Sequence, residues 1–242
     1  MISFQTRTDE DELMDDFSIT DIRLTSALEQ LRVVNRLLGG YATTMAVLGP
    51  KLKARSTDRP LRILDLGTGI ADFPEYIVNW AARQSPAIDL EIVAIDANPV
   101  TVDYARQALA KRLPADLQAK IRVEVADALA LPYKDREFDV VMGAMFLHHF
   151  AQEKAIAIVK SMNRVSSGGV LINDLHRHPL AYYGIYSLTR LFRASEMMQN
   201  DGPLSVLRGF RSAELRAIAV GAGLKRSTVS WRWPFRWLLS TL

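Results

Sequence analysis

All four histidines of the chain fall in two pairs, His148-His149 and His176-His178, and each pair follows an apolar, strand-like run, FDVVMGA (138–144) or GGVLINDL (168–175). An imidazole titrates near neutrality and is the common general base for a hydroxyl or phenol proton. Three carboxylates hold comparable places: Asp65 in LRILDL, Asp96 closing LEIVAID and Asp127 closing IRVEVAD. Directly after the first of these runs comes a G-x-G-x-A turn at Gly67, Gly69 and Ala71. Bare backbone between a strand and a helix N-terminus leaves room for a ligand at the carboxyl ends of a parallel sheet. Alone, such a turn fits a nucleotide phosphate, a nucleoside without phosphate, or nothing beyond a tight bend. The carboxylates narrow the choice. Asp65 would repel a pyrophosphate but pairs well with an α-ammonium group, Asp96 can accept from both hydroxyls of a ribose, and Asp127 with Ala128 stands where an adenine edge can be read.

These groups need a scaffold, and the pattern from residue 61 onward supplies one. Strand-like runs at 61–66, 90–96, 121–127, 138–144 and 168–175 alternate with helix-like stretches near 70–84, 99–112 and 151–164. Continuous Val/Ile/Leu runs joined by amphipathic helices predict strands buried on both faces, hence a parallel sheet with right-handed crossovers. The fold class is α/β, doubly wound. Two final strand-like pieces, LKRSTVSW and FRWLLST, meet at Trp233-Pro234, a connection short enough only for an antiparallel pair. Ser212 reads as the N-cap of a helix before them. Ahead of the sheet, Leu24, Leu28, Leu31, Val34 and Leu38 recur at helical spacing.

Composition excludes several classes. The chain has 242 residues, 49% hydrophobic and 24% charged, which suits one α/β domain with an appendage. It has no cysteine, so disulfides, thiolate metal sites and cysteine nucleophiles are excluded, and no metal is expected. Net charge is +3 but uneven: residues 1–21 carry seven acidic side chains and one Arg, whereas 176–242 carry ten basic and three acidic ones. The arginines of the basic end are scattered, which fits a solvated face rather than a nucleic-acid surface. No apolar run reaches the roughly 20 residues of a membrane span, and the N-terminus lacks the features of a signal peptide. A cytoplasmic protein with no stable membrane insertion is expected.

LDLGTG, VAIDANP, VADALALPYKDREFDVV, FLHHF and SSGGVLIND resemble, in order, the successive motifs of the class I S-adenosylmethionine-dependent methyltransferases, over about residues 60–175. VNRLLGG and DGPLSVLRGF are similar to stretches in the small-molecule methyltransferases of bacterial polyketide and quinone pathways. The resemblance implies a mostly parallel seven-stranded sheet, with residues 1–50 as a helical lid segment, 51–242 as the methyltransferase domain and 176–209 as a lid insertion after the fifth strand. It implies S-adenosylmethionine as cofactor, leaving as S-adenosylhomocysteine. The methionine end would lie along Gly67-Thr68-Gly69 with its ammonium toward Asp65, the ribose on Asp96, and the adenine between Ala97 and the Asp127-Ala128 pair. Ala144 and Met145 would flank the sulfonium, and Arg36, beside Asn35, would reach the cofactor's carboxylate. Ala71 replaces the usual third glycine with a methyl that should fit a close helix-strand contact.

In this fold the fourth and fifth strands are neighbours, so the two histidine pairs are expected to converge, with His148 or His176 as the base and His149 beside the acceptor. Arg177 would clamp a phenolate or carboxylate, and Tyr182 and Tyr183 would help cover an apolar acceptor. The activity implied is methyl transfer to a hydroxyl of a phenolic, polyketide-like or quinol compound. C-methylation of an electron-rich ring, or a cofactor-binding subunit without catalysis, stands as the alternative. Asp65 and the absent third glycine disfavour a nicotinamide dehydrogenase. GAMFLHHF lacks the Asn/Asp-Pro-Pro-Tyr-like turn expected for amino methylation of RNA or protein.

Overall fold

Alternate residues of the buried strands face opposite layers, and that period of two organises the core. The computed structural model describes residues 2–54 and 59–242. Its sheet runs β3-β2-β1-β4-β5-β7-β6, built from β1 (Leu61–Leu66), β2 (Leu90–Asp96), β3 (Ile121–Val125), β4 (Val140–Ala144), β5 (Val170–Leu175), β6 (Thr228–Arg232) and β7 (Arg236–Ser240). The first five pair in parallel, and β7 lies antiparallel between β5 and β6. Ile63, Ile92, Val140 and Leu171 point to one side, against α2 (Gly40–Lys53), α3 (Asp72–Ala82) and α4 (Pro99–Arg112). Leu64, Val93, Val141 and Ile172 point to the other, against α6 (Gln152–Val165) and α9 (Ser212–Gly221); α5 (Ala115–Gln118) is a single turn before β3. Helix α9 starts one residue earlier than its cap was expected: Arg211 is the N-cap, and its N–H donates to Glu214 Oε2 at 2.6 Å.

Strand order reverses at β1, whose Leu66 pairs with Ile95 of β2 on one side and Gly143 of β4 on the other. A crevice opens beyond the carboxyl ends at such a switch point. A third cluster covers it, in which Leu24, Ala27 and Leu28 of α1 (Ile22–Leu37) pack on Met197 and Met198 of α8 (Glu196–Arg208) and on Ile70. The expected helical stripe thus packs on α8 over the strand ends. Between β5 and α8 lies α7 (Pro179–Leu191), which leaves Leu180, Tyr183 and Leu191 exposed. No described helix is long and apolar enough to cross a membrane.

Candidate functional site

The turn after β1 is held from both ends. Thr68 donates its hydroxyl to Asp65 Oδ2 at 2.8 Å and its N–H to the carbonyl of Ile95 at 2.9 Å, while Gly69 N–H donates to Asp96 Oδ2 at 3.0 Å. Gly67 has a φ of +63°, and a β-carbon there would fall 2.0 Å from the Phe146 ring. Only glycine meets both demands. Ala71 also adopts a left-handed conformation, φ 57°, as N-cap of α3. Its methyl is fully buried as expected, but the backbone carries a strain of about 1–2 kcal/mol that a glycine would avoid.

Two cavities meet at this turn. The smaller, about 40 Å³, is lined by Asp65, Thr68, Asp72, Asn35, Ala144 and Met145, with Arg32 at its rim. The larger, about 930 Å³, runs past Gly67, Gly69, Asp96, Ala97, Asp127 and Ala128 and then along Met14, Phe17, Phe146, His149 and Phe150. The residues expected around a methionine end and around a nucleoside therefore line two adjoining spaces in that order.

Electrostatics define the chemistry of the small space. Asp65 is 2% exposed, and burial, opposed by the Thr68 hydroxyl and reinforced by Asp72 and Asp96, pushes its carboxyl up to about 8. Asp72 is raised by burial too, although Tyr41 Oη at 2.8 Å and Asn35 Nδ2 at 3.2 Å donate to it. Burial raises Asp96 as well, against the N–H groups of Asn98 and Gly69. Burial disfavours the ionised form of all three, and a nearby cation would restore it. An α-ammonium group and a sulfonium both fit that demand.

Arg36 is on the exposed side of α1 and lines neither cavity. One turn earlier, Arg32 stands at the rim, paired with Glu75 at 2.9 Å. It takes the place expected for Arg36.

The histidine pairs do not converge. His176 packs in an aromatic group with His178, Phe235 and Trp237, accepts from Trp231 Nε1 at 3.2 Å, and lines neither cavity. The antiparallel β7 is the reason: inserted beside β5, it draws the chain after Leu175 toward the hairpin. Burial, with His178 and two arginines, pushes His176 down to about 4. His178 caps α7, accepting from Leu180 N–H at 3.1 Å.

His148 does reach the cavity wall, yet it is not free to act as a base. It is 2% exposed, with Nδ1 2.7 Å from Asp174 Oδ1 and Nε2 3.5 Å from Glu12 Oε1. The two carboxylates outweigh burial and push it up to about 9, so with no cation bound beside it the ring favours its protonated form. His149 opens onto the large cavity, with its Nδ1 2.8 Å from Asp15 Oδ1.

Arg177 and the tyrosines also differ from expectation. Arg177 is 1% exposed and spends its guanidinium on the carbonyls of Phe4, Gln5 and Gly209 and on Glu214 Oε1 at 2.7 Å. It staples the N-terminal segment to the sheet rather than meeting an acceptor. Tyr182 and Tyr183 pack on Phe4, with ring centroids at 5.7 and 6.5 Å, outside the cavity. Arg177→Ala is expected to cost about 1.5–3 kcal/mol, the range for a charge-assisted hydrogen bond, and to speed amide exchange over residues 4–16. Unchanged exchange there would show that the segment is held by other contacts.

Missing from the sequence reading is the whole acidic strand of chain ahead of α1. Residues 5–17 form one wall of the large cavity, Asp201 fixes them by accepting from Leu13 and Met14 N–H at 2.8 and 3.0 Å, and Arg7 donates to the carbonyl of His148 at 2.6 Å. Arg236 was missed as well: it is buried beneath the small cavity, donating to Leu38 O, Asn35 Oδ1 and Met145 Sδ.

Known proteins are similar to parts of this chain. The methyltransferase-domain family model matches residues 63–169. A demethylmenaquinone methyltransferase of Deinococcus radiodurans is 38% identical over 92 residues, 38% of this chain and 34% of that protein. A 27-O-demethylrifamycin SV methyltransferase of Amycolatopsis mediterranei is 30% identical over 147 residues, 55% of this chain and 50% of that one. The chain thus spans half or less of the length of these two relatives. Among solved structures, a SAM-dependent methyltransferase from Aquifex aeolicus superposes with a TM-score of 0.60 at 17% identity, covering 89% of this chain and 96% of that chain. A methyltransferase domain is thus matched at residues 63–169, and the seven-stranded sheet that holds it has the fold of a solved SAM-dependent methyltransferase.

Proposed function

We propose that the chain transfers a methyl group from S-adenosylmethionine to a small, largely apolar acceptor, at a hydroxyl oxygen of a phenolic, polyketide-like or quinol compound. The observation that carries this reading is the junction of a carboxylate-rich space of about 40 Å³ with a chamber of about 930 Å³ in which Met14, Phe17, Phe146 and Phe150 line the wall beside polar residues of the 5–17 segment. The bound cofactor supplies an electrophilic methyl on a sulfonium. Asp65 and Thr68 hold its ammonium end, Arg32 faces its carboxylate, and Asp96 takes the ribose with lone pairs not used by Gly69 and Asn98. Ala97 and Ala128 sandwich the adenine, while Asp127 is turned to its own helix cap and reads the edge through its backbone. Met14, Phe17, Phe146 and Phe150 give the acceptor apolar contacts, and its alignment with the methyl group supplies much of the acceleration. Of the four histidines, His149 is the one open to this chamber, and activation of the acceptor oxygen falls to its neighbourhood. Of the two relatives, the one named for 27-O-demethylrifamycin SV supports an oxygen acceptor, and the one named for demethylmenaquinone a quinone-type compound.

Deuteromethyl-labelled cofactor incubated with a panel of phenols, quinols and polyketide-type lactones tests this directly. Labelled products carrying the methyl on oxygen are expected. Labelling on ring carbon would favour C-methylation, and no transfer to any member, in protein that binds the cofactor, would favour a non-catalytic subunit.

A further inference from the structure

We propose that Glu12, His148 and His149 bind a divalent transition-metal ion at the acceptor end of the large cavity. One ligand atom from each lies within 4.8 Å of the other two. His148 Nε2 and Glu12 Oε1 are 3.5 Å apart, long for a hydrogen bond between them but close to the roughly 3.3 Å that separates two ligands on a tetrahedral ion with bonds of about 2.0–2.1 Å.

A second observation is independent of that spacing. Three buried side-chain polar atoms among the described residues have no hydrogen-bond partner, and two of them, Glu12 Oε1 and His149 Nδ1, belong to this cluster. Glu12 is 3% exposed. Arg208 Nε is 3.9 Å away but does not satisfy it, because that guanidinium is turned to the carbonyls of Glu10, His148 and His149. An orphaned buried carboxylate oxygen facing two imidazoles is the arrangement a cation completes.

Outer contacts are in place as well. His148 Nδ1 is 2.7 Å from Asp174 Oδ1, which also accepts from Leu175 N–H. A carboxylate behind the imidazole fixes the ring with Nε2 forward and makes that nitrogen a better ligand. Glu12 is positioned by the backbone bonds that Asp201 accepts from the next two residues. Two imidazoles and one carboxylate suit Zn²⁺, Fe²⁺, Mn²⁺ or Co²⁺. Three protein ligands leave positions open, and His149 faces the chamber, so an acceptor oxygen can complete the coordination and lose its proton more easily. That use of the ion rests on the methyl-transfer reading; its binding does not.

Chelator-treated full-length protein titrated with ZnCl₂ in a calorimeter, without cofactor or acceptor, tests the binding alone. One equivalent of tight binding is expected, weakened roughly 100-fold in His149→Ala and in Glu12→Gln, with Asp174→Asn weakened about 10- to 100-fold. Co²⁺ should give visible d–d absorption in the wild type that both ligand variants lose. Circular dichroism of each variant separates lost ligation from lost fold. Absence of saturable binding, or equal binding in folded His149→Ala and Glu12→Gln, overturns the site and leaves His148 as an imidazolium between Asp174 and Glu12.

Discussion

Asp65→Asn is expected to weaken S-adenosylmethionine binding by roughly 10- to 100-fold, the loss of one charge-assisted contact of about 1.5–3 kcal/mol, while raising the melting temperature of the cofactor-free protein. Both effects follow from a carboxyl pushed from an ordinary 3.8 up to about 8 by burial. Its folded value lies above its unfolded one, so its contribution to stability is complete below about pH 4 and is lost as pH rises through about 8. Asparagine keeps the shape and removes that loss. Binding runs the other way: pairing with an ammonium needs the ionised form, so wild-type affinity should rise between pH 6 and 8, and the variant's should not. Thermal melts and calorimetry across that range check both parts. A variant that binds as tightly as wild type would remove Asp65 from the cofactor site.

His148→Ala is expected to cost about 3–5 kcal/mol of unfolding free energy in chelator-treated protein. Asp174 is 0% exposed, and His148 supplies it with a ring contact at 2.7 Å and a backbone N–H at 3.1 Å. Truncating the ring leaves a buried carboxylate without its charge partner, a change in that range. Denaturant unfolding reads the loss. A general base would behave differently, lowering kcat 10²- to 10⁴-fold with little change in stability. That second pattern would contradict the structural role, whether His148 carries two protons or ligates a metal.

Elements along the sheet were legible because buried strands are continuous apolar runs; Asp65 and Asp96 stand at strand ends where the pattern puts them, whereas β3 stops at Val125 and Asp127 caps the short turn after it. Beyond the strand ends that logic fails. His148 lies four residues after β4 and His176 one after β5, and one faces the crevice while the other faces a hairpin whose insertion beside β5 is a long-range event with no local signature. Arg32 and Arg36 could have been separated: at about 100° per residue, Arg36 falls farther from the stripe of Leu24, Leu28 and Leu31. The wall formed by residues 5–17 has no helical or strand period, and its acidic composition reads as solvated surface. What buries Glu12 is tertiary, the backbone bonds from Asp201 and the approach of Arg208, 196 positions along the chain.

Titrating wild type and Asp96→Ala in a calorimeter with S-adenosylmethionine, S-adenosylhomocysteine and NAD tests the central claim most directly. Asp96 presents two carboxylate oxygens that accept from Gly69 and Asn98 N–H at 3.0 Å each and retain lone pairs for a ribose. One equivalent of each adenosyl compound should bind the wild type and NAD should not, with Asp96→Ala weakened roughly 10- to 100-fold. Binding of NAD in their place, or equal affinity in a folded Asp96→Ala, would contradict it.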